Sequence, residues 1–489
     1  MKKTTIVLLS CAVLVICGIT LMKNVSRQKS GVHIHVHVNN LTQKKITLRL
    51  PVKGANFWAN RKEINLDEKG ECDITLANED CGLTLINHDF GYVRLITFPG
   101  DNISLNITSK TDVVFKGDNA EGHKFFNSLE RNLIQDVNNP YENDTVASIV
   151  EQKVSIKEHD ELVRLDQLLK ERKINQAYFD FAARDIRYYY AASLADAMTS
   201  KYYSHKKIDT LAKQGYIEAW KKSFRLLPLD SPAAIATENF KYYAGLYYEF
   251  YTGDFLGEAK SSGIKGTHQS NYHLINKHFK GDVAEYLKAM YIYVHVRQKT
   301  YEQSLVNIYQ QFTTQYPHSN YIPFIKSDID SIIAFNHSIE NNTKSGYTIL
   351  TGYEKFNSVD ELLHSLKGKA YYVDIWSTWC VPCKEEFAYM PALNSLLTEK
   401  KVEILYLSID NDEADKKWKD MIKYYNLPGL HVRANKLLYK DLFRRLAGNK
   451  ELAIPRYLLI DRKGTIVNYN AERPSDTGKL HFQVSSVSL

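Results

Sequence analysis

Tyr371-Tyr372-Val373-Asp374-Ile375-Trp376-Ser377-Thr378-Trp379-Cys380-Val381-Pro382-Cys383 is the stretch that decides the fold of the C-terminal part of the chain. The apolar run Tyr371–Trp376 predicts a strand, and Val381–Leu397 predicts a helix. A C-x-x-C therefore sits at a strand-to-helix turn, where a redox-active dithiol is expected. The first N–H groups of a helix are unpaired and its dipole is positive there, which favours a thiolate at Cys380. Such a cysteine has its pKa lowered from about 8.5 toward 7 or below. Pro382 fits a first turn that needs no N–H from it. Cys380 is thus the expected nucleophile and Cys383 the resolving thiol, one turn on, the two closing a redox disulfide. Trp379 and Pro382 flank the nucleophile as substrate contacts. Half of a zinc site is the other reading of a C-x-x-C, and it needs a second pair. Cys72 and Cys81 have the wrong spacing and fall in another region, so no metal is expected.

Working outward, 489 residues are too many for one core. A composition 44% hydrophobic and 24% charged is that of an ordinary globular protein. The net charge of +7 is spread thinly, which argues against a nucleic-acid surface. The 33 tyrosines are expected to mark helices with half-buried rings.

Lys2 and Lys3 precede an uncharged apolar run, Ile6 to Met22, and Lys23 and Arg27 come after it. The run is long for a secretory leader and short for a full span. Residues 1–30 are expected to be a signal peptide or membrane anchor, with lipidation at Cys11 or Cys17 as another route to the membrane. Export would place the chain where disulfides persist.

Residues 31–117 predict an antiparallel β-sandwich, with strands Val32–Val38, Ile46–Leu50, Cys72–Leu76, Leu83–Asn87, Tyr92–Phe98 and Ile103–Ile107. His33, His35 and His37 fall on the polar face opposite Ile34, Val36 and Val38. Three imidazoles on one face could hold zinc, but a solvated face explains them without it. A structural disulfide Cys72–Cys81 would close a short loop and stabilise by about 2–3 kcal/mol; two buried free thiols are the alternative. Residues 118–343 predict an all-α region without a fixed repeat. It ends in a helix pair from Glu302 to Phe335, joined at Pro317. Residues 344–489 predict an α/β fold with strands Tyr371–Trp376, Val402–Ile409, Arg456–Ile460 and Thr465–Asn470, the last two joined by a hairpin at Asp461–Gly464. After Pro474 the tail turns polar.

The stretch Val373 to Cys383 resembles the thioredoxin superfamily, most closely its TlpA/ResA-like thiol-disulfide oxidoreductases. The resemblance covers about residues 345–480 and implies a thioredoxin-like fold there. It implies that Asp374 is the buried acid that accepts the proton of the second cysteine, which a raised pKa would suit. Glu386 matches a glutamate of the ResA-like branch, where it tunes the thiols; a plain surface residue is the other reading. Ile454-Pro455 matches the family's cis-proline loop, whose backbone pairs with substrate. The family's helix-kinking proline is replaced by Ala388, with Pro391 three residues on. Pro99-Gly100-Asp101-Asn102-Ile103 and Phe115-Lys116-Gly117 resemble the β-domain that precedes such modules in exported Gram-negative proteins.

The resemblance implies an exported, periplasm-facing, membrane-associated thiol-disulfide oxidoreductase without a cofactor. It would reduce protein disulfides with electrons from a membrane donor of the DsbD/CcdA type; cytochrome c maturation is one role in the family. The Val381-Pro382 dipeptide lacks the histidine of strongly oxidising motifs, which favours reduction. The rival is a partner- or ligand-binding envelope protein with an accessory redox module.

Overall fold

The computed structural model describes residues 31–39, 44–131, 134, 140–204, 210–341, 346–447 and 452–486. The leader or anchor expected at residues 1–30, with Cys11 and Cys17, lies outside them. No helix among the described residues is long and apolar enough to cross a membrane. The chain divides into two compact units, Met1–Met290 and Tyr291–Leu489.

The first unit opens with β1 (Val32–Val38), β2 (Lys45–Arg49), β3 (Arg61–Asn65), β4 (Glu71–Leu76), β5 (Gly82–His88), β6 (Gly91–Thr97), β7 (Asn102–Ile107) and β8 (Val113–Gly117). They form two four-stranded sheets, ordered β4-β1-β7-β8 and β3-β2-β5-β6. Period two decides the facing of β1. Val32, Ile34, Val36 and Val38 enter one core with Leu48, Ile86, Leu95 and Leu105, and the histidines point out. His35 Nδ1 lies 2.9 Å from Asp73 on the neighbouring strand. The edge strand β3 had no apolar signature: it reads Arg-Lys-Glu-Ile-Asn and is almost wholly exposed, as charged edges are.

The expectation of a purely antiparallel region needs correcting, because β1 pairs with β7 in parallel. Parallel neighbours need a crossover, and here β2, β3, β5 and β6, all of the other sheet, are built between them. The same alternation overturns the Cys72–Cys81 bridge. Both are free, half-buried thiols. Cys72 lies in β4, opposite Val36, whereas Cys81 follows the turn Asn78–Asp80 into β5 of the other sheet.

Helices come next, the longest being Ala147–Lys170 and Gln176–Ser204. Two buried tyrosines among them donate to main-chain carbonyls. Tyr188 donates to Pro228 O at 2.6 Å and Tyr243 to Ser223 O at 2.8 Å. The helix expected from Glu238 begins at Phe240 and widens into π-type turns over Leu246–Phe255.

The second unit carries the helices Gln303–Gln315 and Ile322–Asn341, the pair expected from the sequence. Its sheet consists of β9 (Tyr347–Ile349), β10 (Ala370–Trp376), β11 (Val402–Ser408), β12 (Gly429–Arg433), β13 (Arg456–Ile460) and β14 (Ile466–Asn468), ordered β14-β13-β10-β11-β12-β9. Central β10 is parallel to β11 and antiparallel to β13. All of β10 is buried, because both faces of the sheet are covered. Tyr372 and Trp376 enter one core with Cys380 and Cys383, and Tyr371, Val373 and Ile375 enter the other. The hairpin at 461–464 is present, with Asp461 Oδ1 accepting from Lys463 and Thr465. The polar tail is in part a helix, Thr477–Ser485, anchored by Leu480 and Val484 one turn apart.

Candidate active site

Strand β10 ends at Trp376, and the chain turns so that Cys380 N donates to Ser377 O at 3.1 Å. Cys380 is then the N-cap of the helix Val381–Glu386. Its sulfur accepts from Cys383 N at 3.2 Å, so a main-chain N–H supports negative charge at Sγ. Cys380 and Cys383 are joined by a disulfide, S–S 2.02 Å. Cys383 is fully buried, Cys380 keeps 4% exposure, and Trp379 beside it is 57% exposed.

The helix is shorter than expected. It gives way to a 3-10 turn at Phe387–Tyr389 and resumes as Met390–Glu399. Ala388 therefore sits in the break although it is not proline, and Pro391 opens the second segment, where its missing N–H costs nothing.

Asp374 lies on the face of β10 that carries Tyr372 and Trp376, between Tyr406 of β11 and Tyr457 of β13 in register. It is 1% exposed, and neither carboxyl oxygen has a hydrogen-bond partner among the described residues. Burial, and secondly the charge of Glu386, hold it well above the usual carboxylate range.

Glu386 is not a surface residue. It is 7% exposed and accepts from Ser475 N at 2.9 Å and Ser475 Oγ at 3.0 Å, with Arg473 Nη1 at 3.5 Å. It thus ties the segment before the C-terminal helix to the dithiol helix. The Ile454–Pro455 peptide is cis. Ile454 packs against the core cluster that holds Cys380 and Cys383.

The Redoxin family model matches residues 350–485. This segment is similar to the TlpA/ResA-like thiol-disulfide oxidoreductases. It is similar to the thiol-disulfide oxidoreductase ResA of Bacillus cereus, 33% identical over 108 residues, which are 22% of this chain and 56% of that protein. ResA of Bacillus anthracis is 34% identical over 106 residues, again 22% and 56%. The chain thus spans about half the length of the curated relatives it matches. The thioredoxin domain of a thiol-disulfide oxidoreductase from Bacteroides vulgatus is 25% identical, over 26% of this chain and 84% of that domain, with a TM-score of 0.23.

Within the Redoxin module, three residues at the turn escaped the sequence reading. Thr378 N donates to both oxygens of Asp410, at 3.1 and 2.9 Å, and Thr378 Oγ1 donates at 2.8 Å. Asp410 also accepts from Ser408 Oγ at 2.8 Å. The remaining polar group, Thr378 O, accepts from Lys384 Nζ at 2.7 Å. Asp410 and Lys384 are 2% and 4% exposed, so the turn before Cys380 is held by two buried charges. Burial, with Lys417 and Lys299 nearby, pushes the Lys384 ammonium down to about 7. The one signal in the sequence was Asp410 just past the end of a strand, and nothing in its spacing tied it to Thr378.

Proposed function

We propose that the chain is an exported thiol-disulfide oxidoreductase that reduces protein disulfides at Cys380–Cys383. The observation that carries this is the conjunction, in one core, of a dithiol whose outer sulfur accepts a main-chain N–H and a buried acid without a partner. The Cys380 thiolate attacks a substrate disulfide, and one substrate sulfur leaves as thiolate. Asp374 in its carboxylate form, made strongly basic by burial, takes the proton of Cys383, and the Cys383 thiolate attacks Cys380 Sγ. The second substrate sulfur is released, and the Cys380–Cys383 disulfide remains. Regeneration takes two electrons and two protons, supplied by the dithiol of a membrane donor of the DsbD/CcdA type. Trp379, Pro382 and the Ile454–Pro455 backbone receive an extended substrate segment, and Glu386 tunes the pair through Asp374. The N-terminal segment holds the chain at the periplasmic face of the membrane.

The two N-terminal sheets are read as a sandwich, since their inward faces share one core. The four segments 1–30, 31–117, 118–343 and 344–489 remain our division of the chain by type of structure.

Insulin reduction tests the activity. The chain should turn over insulin disulfides with dithiothreitol as donor, and Cys380→Ser should lose at least about a thousandfold. Activity that survives in Cys380→Ser contradicts the nucleophile.

A further inference from the structure

The Lys384 ammonium serves three carbonyls, and two of them lie outside the dithiol turn. Besides Thr378 O it donates to Gln298 O at 2.9 Å and Lys299 O at 3.0 Å. A shared donor at these lengths leaves no more than about 6 Å between Thr378 O and either of the other oxygens. The same segment is held from its far side. Tyr301 stacks on Phe335 at 4.5 Å and its hydroxyl meets that of Tyr425 at 2.7 Å. Lys299 and Tyr301 both have positive φ, 52° and 55°, a conformation that residues with a Cβ adopt at a cost. Lys299 also reaches Glu385 at 3.4 Å, one residue beyond Lys384. A backbone shaped this way, and fixed at both ends, is a built feature of the module.

We infer that residues 297–301 form a fixed lip beside the dithiol that protein substrates contact, and that Lys384 is the positioning residue that latches it to the nucleophile turn. The inference rests on the exchange activity proposed above. A folded disulfide protein must bring its own backbone up to Cys380. Exposed Trp379 follows Thr378, and Arg297 and Gln298 stand on the lip, so a protein that reaches the sulfur meets both. A small disulfide reaches the sulfur alone. The lip therefore acts on selectivity, and Lys384 acts through the lip and Thr378, whose carbonyls take its three donors.

Steady-state reduction of insulin and of glutathione disulfide by the full-length chain separates these roles. In Lys384→Met, which keeps length and removes the three donors, KM for insulin should rise about tenfold. The loss of kcat/KM should be at least about fivefold larger with insulin than with glutathione disulfide, and Lys384→Arg should recover most of it. Equal losses on both substrates overturn the lip and leave the exchange activity standing. Reduction of neither substrate by the unsubstituted chain contradicts the activity instead. Should Lys384→Met not fold, hydrogen exchange on Cys383→Ser trapped as its mixed disulfide with insulin decides the matter. Amides of residues 297–301 should gain protection in the trapped complex, and unchanged exchange there overturns the lip.

Discussion

Asp374 shows at the scale of one residue how burial becomes chemistry. Its carboxyl is held well above the usual range, first by burial and then by Glu386, so the folded chain keeps a proton that the unfolded chain releases. The folded state then binds more protons than the unfolded state above about pH 4, and stability must fall as pH rises from there. Asp374→Asn should flatten that slope and raise the stability of the oxidised protein at neutral pH relative to its value at about pH 4, read from urea midpoints across pH. It should also slow resolution, so that mixed disulfides with substrate accumulate on gels at neutral pH. Unchanged resolution kinetics would remove the acid from the mechanism. Asp374, Cys380 and Cys383 were legible because they lie within one strand and one turn of each other. Asp410 was not, since only the pairing of β10 with β11 carries it to Thr378. Cys72 and Cys81 misled for the converse reason. Short separation in the chain says nothing of which sheet a strand joins, and these two enter different sheets.

At the scale of elements, the dithiol helix is tied to its surroundings by two side chains of its second half. Lys384 ties it to Thr378, and Glu386 ties it to Ser475. Glu386→Gln weakens charge-assisted bonds at a buried site and should cost about 1–3 kcal/mol, measured by denaturant unfolding. The same change removes a negative charge that raises Asp374, so the acid should titrate lower, and the fall in stability should end at lower pH. An Asp374 titration that does not move would mean that Glu386 acts as a clamp alone. The strands legible in the sequence were those with alternating or continuous apolar runs, such as β1 and β10. β3 and β9 escaped because edge strands bury little, and β9 has only three residues. The C-terminal helix Thr477–Ser485 escaped because its only buried anchors are Leu480 and Val484 in an otherwise polar stretch.

At the scale of the molecule, the helix pair Gln303–Gln315 and Ile322–Asn341 belongs to the same compact unit as the Redoxin segment. Composition put it with the helices before it, and composition cannot show which core a helix serves. Phe335 is 4% exposed in the dithiol core, between Tyr301 at 4.5 Å and Tyr424 at 4.8 Å. A fragment of residues 291–489 should therefore fold cooperatively. One starting at residue 346 should lose at least about 3 kcal/mol, because it uncovers an aromatic core face. Equal stability of the two fragments would detach the helix pair from the module. Whether this dithiol gives electrons to protein disulfides is decided by the reduction potential of the Cys380–Cys383 couple, measured against glutathione redox buffers or a thioredoxin couple. A reductant should give a value near the roughly −270 mV of thioredoxin; a value near the roughly −120 mV of a strong disulfide donor would make the dithiol an oxidant instead.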